Sequence, residues 1–239
     1  MSDTLRDRVV LISGASGVLG SAVTREFAQA QARLALTGRS AQKLDRLVVE
    51  SDLPAERILT IAADVTEGDG VGDLVSAVMA RFGRIDVLLN TAGGWSGGRP
   101  VGETSVEEWD RMLALNLRSA FLLSRAVLPY MLEAGWGRIV HVSSKTAVEP
   151  RARQSAYAVS KMGLITLTEV IAAEVKGSGV TANVILPSII DTPDNREAMP
   201  KADPHKWVPP ERIAATMRFL CSDAAASING ARILIYGAV

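Results

Sequence analysis

Cysteine occurs once, at Cys221, and histidine twice, at His141 and His205, in a chain of 239 residues. A lone thiol closes no intrachain disulfide, and two imidazoles with one thiol show no ligand spacing. A disulfide scaffold is thereby excluded and no metal is expected. Runs of lysine and arginine are missing as well. The 26 basic residues balance 26 acidic ones to a formal net charge of zero, which leaves no basic track for a phosphate backbone and makes nucleic acid an unexpected partner. Long hydrophobic runs are absent, and residues 1–8 alternate in charge before Val9-Val10-Leu11-Ile12 without a signal-peptide cleavage site. No membrane and no targeting segment are expected, and the compartment that fits is the cytoplasm. What the chain does have is core material: 48% of its residues are hydrophobic and 22% charged, without the signature of disorder.

Short β-rich apolar runs alternate with longer amphipathic stretches along the whole chain. Strands are expected over 8–13, 33–37, 58–62, 87–90, 137–142, 180–186 and 232–236, and helices over 17–30, 41–51, 70–82, 106–134, 155–176 and 210–221. The fourth helical stretch is long enough for two helices. The alternation predicts an α/β fold: a doubly wound, seven-stranded parallel sheet with helices on both faces, with residues 1–239 as one domain. Ligands of such sheets bind at the carboxyl ends of the strands, so the loops that follow the strands are where function is sought. Two loops stand out. Residues 93–100 hold four Gly in eight positions, and 187–209 carry five Pro and are too long for a connector, which reads as a substrate lid.

The first strand ends in Ser13-Gly14-Ala15-Ser16-Gly17-Val18-Leu19-Gly20, and a helical pattern starts at once. Gly14, Gly17 and Gly20 let the chain turn tightly and bring backbone N–H groups, those of Ser16 and Leu19 included, up to an anion at a helix N-terminus. This is the dinucleotide-binding arrangement of a Rossmann fold. The second strand ends at Arg39-Ser40, where a carboxylate would accept from a ribose 2′-OH and an Arg pairs with a 2′-phosphate, so NADP(H) is favoured over NAD(H). After the third strand, Asp64-Val65 is placed either to accept from the adenine amino group or to cap the helix that follows.

With these residues the chain resembles the short-chain dehydrogenase/reductase family over its whole length. Beyond the glycine loop the resemblance rests on Asn90-Thr91-Ala92-Gly93 after the fourth strand, Asn116 within the long helix, Ser144 after the fifth strand, and Tyr157-Ala-Val-Ser-Lys161 opening the next helix. It implies a nicotinamide-dependent oxidoreductase acting on a carbonyl or alcohol. Reduction by hydride puts negative charge on oxygen and calls for a proton donor there, the part that falls to Tyr157. A neighbouring ammonium favours a phenolate, and Lys161, four positions on, lies on the same helical face. By the resemblance Ser144 donates to the substrate oxygen, and Asn116 helps hold a water that relays protons to Lys161. Asn90, Ala92 and Gly93 floor the cofactor site, while Pro187, Ile190 and Thr192 lead the segment that grips the nicotinamide carboxamide. The family also implies a homo-oligomer, a tetramer or dimer.

The sequence departs from the family pattern in three places. Val18 stands where single-domain members have their middle glycine, and the resulting spacing is nearer to that of extended epimerases and dehydratases. Ser188 and Thr91 replace a common Gly and Asn. The stretch 191–207 is similar to the matching segment of dihydropteridine reductases, which makes a pterin reductase the second reading, and a dinucleotide sensor without turnover is a third that the presence of both Tyr157 and Lys161 disfavours. On the substrate side the candidates are Trp95, Glu149, Met199 and Trp207, with Lys145, Arg151 and Arg153 near them. His141, among apolar neighbours, reads as a satisfied core histidine.

Overall fold

The computed structural model describes residues 5–238; residues 1–4, where no targeting signal is expected, and Val239 lie outside it. In chain order the elements are β1 (Val9–Ser13), α1 (Val18–Gln29), β2 (Arg33–Gly38), α2 (Ala41–Ser51), β3 (Ile58–Ala62), α3 (Gly68–Phe82) and β4 (Val87–Asn90). There follow α4 (Val106–Leu113), a π-helical turn (Ala114–Arg118), α5 (Ser119–Glu133), β5 (Gly137–Val142), α6 (Lys145–Val148) and α7 (Ser155–Glu174). The chain closes with β6 (Val180–Pro187), α8 (Pro193–Ala198), α9 (Pro210–Leu220) and β7 (Arg232–Ile235). The strands form one sheet in the order β3-β2-β1-β4-β5-β6-β7, every neighbouring pair parallel. The connection reverses direction between β1 and β4, which opens the crevice in which such sheets bind ligands.

Both faces of the sheet are covered, which explains why its strands are apolar at nearly every position instead of every second one. Val10, Ile12, Leu34, Leu36, Leu89 and Val140 pack with Val23 and Phe27 of α1 and Ile213 and Met217 of α9. Their sequence neighbours Val9, Leu11, Ala35, Leu88 and Ile139 face the other way, onto Leu74 and Val78 of α3, Leu123 and Val127 of α5 and Ile171 of α7. Each such Leu, Ile or Phe side chain stabilises the fold by about 1.5–3 kcal/mol when fully buried. One helix among the described residues, α7, is long and apolar enough to cross a membrane by length and composition alone. Its apolarity has a different use, since Leu164, Ile165, Ile171 and Ala172 are buried in the core.

The amino edge of the sheet is a region of charge pairing. The buried Asp86 carboxylate accepts from Arg8 Nη1 at 3.0 Å, from the Val9 amide at 2.8 Å and from Arg84. Two guanidiniums lie over the Trp136 ring, Arg8 at 3.8 Å and Arg138 at 4.3 Å from its centroid. A surface depression of about 650 Å³ at this edge is lined by Lys176, Thr181 and Asn229 among others. It lies at the start of β6, at the opposite end of the sheet from the loops that carry the candidate chemistry.

The stretch 106–134 forms two helices, as its length allows: α4 and α5, separated by the π-turn that carries Asn116. The segment 187–209 is not a free loop: a parallel bridge joins Ile190 to Val208, and the Asp191 amide donates to the Val208 carbonyl at 2.9 Å. Above that base it holds α8, whose N-cap Thr192 accepts from the Asn195 amide, with Pro193 in the first turn. Trp207, expected to face substrate, is only 4% exposed. The residues on either side of it are tied down, Val208 by the bridge to Ile190 and Lys206 by its carbonyl, which accepts from the Ala238 amide of the C-terminal tail at 2.9 Å.

Candidate active site

The carboxyl ends of β1, β2 and β4 meet with almost no side-chain bulk between them. Gly14 adopts φ +70°, a conformation that glycine takes at no steric cost, and a Cβ there would lie 2.6 Å from the Ala92 amide nitrogen. A Cβ on Gly20 would strike the Gly14 carbonyl oxygen, and one on Gly38 would sit 2.8 Å from Ser16 Oγ. A Cβ on Gly93 would sit 3.0 Å from Asn116 Oδ1 and 3.1 Å from Lys161 Nζ. The Cβ-free backbone thus runs from the first turn of α1 to the loop after β4. The N-terminus of α1 has no side-chain cap and no acidic residue in its first turn, so its amides are open to an anion. These residues fit a dinucleotide laid across the sheet. Val18, in place of a family glycine, is 41% exposed.

The other cofactor candidates fall around this trench. Asn90 is buried, its Oδ1 accepting from Ser13 Oγ, and Thr91 Oγ1 donates to the Ser13 carbonyl at 2.7 Å. The Thr that replaces the family Asn therefore ties β4 to β1. Arg39 is exposed, and Ser40 Oγ caps α2 by accepting from the Lys43 amide. Asp64 is not the N-cap of α3, which is Glu67: its Oδ1 accepts from the Thr66 amide at 2.9 Å and from Thr66 Oγ1 at 2.7 Å, and these bonds, with Arg39 as a lesser influence, hold its carboxyl below the ordinary range. Val65 beside it is buried. Ser188 anchors the end of β6 by donating from Oγ to the Tyr236 carbonyl at 2.6 Å. The Ile190 carbonyl is taken by Asn195 Nδ2 at 2.8 Å.

Ser144, Tyr157 and Lys161 converge where β5 and α7 meet. Ser144 caps α6, accepting from the Thr146 amide, and is hydrogen-bonded to the Tyr157 phenol. Lys161 is 5% exposed; its Nζ donates to the Val142 carbonyl at 2.8 Å, and burial brings its ammonium down to about 8. Burial is also the largest influence on Tyr157 and raises its phenol, with the Ser144 bond opposing. The sequence argument has the ammonium acidifying the phenol. Here burial outweighs any such effect, and the ammonium is held on the Val142 carbonyl. Asn116 is fully buried; its Oδ1 accepts from the Gly94 amide at 2.9 Å and its Nδ2 donates to the Gly94 carbonyl at 3.1 Å.

Of the substrate-side candidates, Trp95 is 61% exposed beside the glycine loop, and Glu149 pairs with Lys145 at 3.5 Å. Met199 follows α8, half-buried. The sequence reading overlooked Ser143, whose Oγ donates to the Lys161 carbonyl at 2.8 Å, and Ser160 inside the Tyr-Lys motif. Their signal was adjacency to Ser144 and Lys161. His141 is half satisfied: one ring nitrogen meets Ser124 Oγ at 3.2 Å and Nδ1 has no partner among the described residues. Burial, and secondarily the Lys161 charge, depress it from 6.5 to about 3. A depressed folded value means that the unfolded chain takes up the proton first, so stability falls as pH drops from 6.5 toward 3, by about 1.4 kcal/mol per pH unit at most. Denaturant titrations across that range are expected to show a shallower slope for His141→Asn; an unchanged slope would mean that His141 is not buried neutral.

The family model for short chain dehydrogenases matches residues 8–203. Among curated proteins, the D-threitol dehydrogenase of Mycolicibacterium smegmatis is 38% identical over 98% of this chain and 93% of its own length. The 3-oxoacyl-[acyl-carrier-protein] reductase of Thermotoga maritima is 33% identical over 98% of both chains. Among solved structures, a 3-ketoacyl-(acyl-carrier-protein) reductase from Brucella melitensis, complexed with NADH, superposes with a TM-score of 0.87 at 25% identity, covering 98% of this chain and 100% of that one. Matched from β1 into the segment after β6, and aligned with such enzymes nearly end to end, this chain belongs to the short-chain dehydrogenase/reductase family, whose members bind a nicotinamide dinucleotide and act on alcohols and carbonyls.

Proposed function

We propose that the protein is an NADP(H)-dependent reductase or dehydrogenase that interconverts a ketone and a secondary alcohol, with Tyr157 exchanging the proton at the substrate oxygen. The observation that carries this reading is the convergence of Ser144, Tyr157 and Lys161 beside the Cβ-free backbone of Gly93. The bound nicotinamide supplies or accepts the hydride. Ser144 turns its single O–H from the phenol to the substrate oxygen, and the bond between the two hydroxyls marks them as close enough to converge on that atom. Lys161 lies within reach of the cofactor ribose and returns the proton that Tyr157 gives up, and Asn116 helps hold the water that relays protons to Lys161. The relatives' names span a polyol and acyl thioester substrates, and what those share is a carbinol–carbonyl pair.

The preference for NADP(H) rests on Arg39, an exposed guanidinium at the end of β2 with no carboxylate beside it in sequence. Arg39→Asp removes the charge-assisted partner of a 2′-phosphate and puts a like charge in its place. It is expected to weaken NADPH binding by about 10- to 100-fold and to leave NADH within a few-fold. Fluorescence titration with both dinucleotides reads the ratio, and an unchanged ratio removes Arg39 from cofactor selection.

The whole chain serves as one dinucleotide-binding domain in the cytoplasm, and it works as a homo-oligomer. The support for association is exposed apolar surface on α7, Val159, Met162 and Val170 at helical spacing, and Phe121 exposed on α5.

A further inference from the structure

We propose that Ser160 is a positioning residue of this site: it ties Asn116, in the π-turn, to helix α7, and so fixes the Gly93–Gly94 backbone against Lys161. The proposal rests on the reading of Tyr157 and Lys161 as the proton-handling pair.

Ser160 and Asn116 are both fully buried. Asn116 Nδ2 donates to Ser160 Oγ at 3.1 Å, and Ser160 Oγ donates onward to the Tyr157 carbonyl at 2.8 Å. A serine that bonds only to the carbonyl one turn back is an ordinary helical back-bond. Here the same oxygen also accepts from a side chain 44 residues away, on another element. The π-turn makes this possible, because its extra residue rotates Asn116 off the regular helical face. The remaining capacity of the Asn116 amide goes to Gly94, whose amide and carbonyl it grips together. With one acceptor and two donors so used, Asn116 has a single orientation.

That orientation matters at Gly93. The volume a Cβ would occupy there is bounded by Asn116 Oδ1 on one side and Lys161 Nζ on the other. The loop after β4 is therefore held between the amide and the ammonium, and the distance between the two is set by how the π-turn docks on α7. Ser160 Oγ is a hydrogen bond of that docking, one residue from Lys161 and three from Tyr157. The glycine loop at 14–20 shares no hydrogen bond with Ser160, so the hold on the pyrophosphate is unchanged and only the dinucleotide's contact with the Gly93 floor is affected.

The test uses the full-length protein and the four members of a cycle: wild type, Ser160→Ala, Asn116→Ala and the double variant. Ser160→Ala is expected to lower kcat about tenfold, the equivalent of one ordinary hydrogen bond, with the dinucleotide KM changed by less than about threefold. Added to Asn116→Ala, it is expected to cause no further loss, because Ser160 acts through Asn116. Hydrogen exchange at the Gly94 amide, which needs no turnover, is expected to quicken in Ser160→Ala. Equal losses from Ser160→Ala in both backgrounds, or unchanged Gly94 exchange, would overturn the proposal. If no carbonyl is turned over by the wild type, the function reading fails while the exchange result still decides the positioning role. Should Ser160→Ala not fold, Gly94 exchange in Asn116→Ala decides instead: slow exchange there overturns the clamp.

Discussion

Tyr157→Phe is expected to bind dinucleotide as the wild type does and to lose turnover by about 10²- to 10⁴-fold, the usual contribution of a positioned general acid. Only the hydroxyl is removed. The ring stays packed at the first turn of α7, and the glycine loop, Asn90 and Lys161 reach their partners without it. The kinetic signature is a fall in kcat and in kcat/KM together, because proton transfer to the substrate oxygen develops in the transition state. Single-turnover measurements at saturating dinucleotide separate this from slow product release. Because burial raises the phenol, Tyr157 keeps its proton at neutral pH, which suits the reducing direction. In that direction the protein arrives with its acid loaded.

Gly14→Ala should be as damaging to binding as Tyr157→Phe is to chemistry. At φ +70° any Cβ is strained, and this one would lie 2.6 Å from the Ala92 nitrogen and 2.8 Å from the Thr91 carbonyl carbon. Those atoms are backbone at the end of a central strand and cannot rotate aside. The turn after β1 must therefore move off β4, which is expected to destabilise the fold by about 3 kcal/mol and weaken dinucleotide binding about a hundredfold. Gly17→Ala is the matched control. Its Cβ would meet nothing nearer than the Gly14 carbonyl at 3.4 Å, an ordinary contact, so near-native stability is expected. Thermal melts and dinucleotide titrations of the pair give the comparison, and equal effects would mean that the trench is not shaped by Gly14.

How far the site could be read in advance follows from the range of the interactions. The seven strands fall within about two residues of their expected limits because buried parallel strands are short, continuous apolar runs bounded by polar turns. The order of Ser144, Tyr157 and Lys161 is local enough to be seen in the motif. The π-turn is not, because one extra residue in a turn barely alters an apolar period, so Asn116 could be placed in a helix but not aimed. Lys161's partner is a backbone carbonyl on β5, which has no side-chain signature at all. Trp207 reads as a substrate-side residue because its loop lies at the carboxyl edge, and its burial depends on the non-local fold of the segment, whose base is the Ile190–Val208 bridge. Thr192-Pro193, by contrast, is a legible helix start that the sequence reading took only as a cofactor contact.

The most direct test of the whole account is stopped-flow mixing of the purified protein with NADPH or NADH against a panel of ketones, with polyols and NADP⁺ for the reverse direction, followed through the nicotinamide absorbance. The account predicts turnover on at least one carbonyl–carbinol pair, faster with NADPH, and abolished in Tyr157→Phe with dinucleotide binding intact. Turnover that survives in Tyr157→Phe would contradict it.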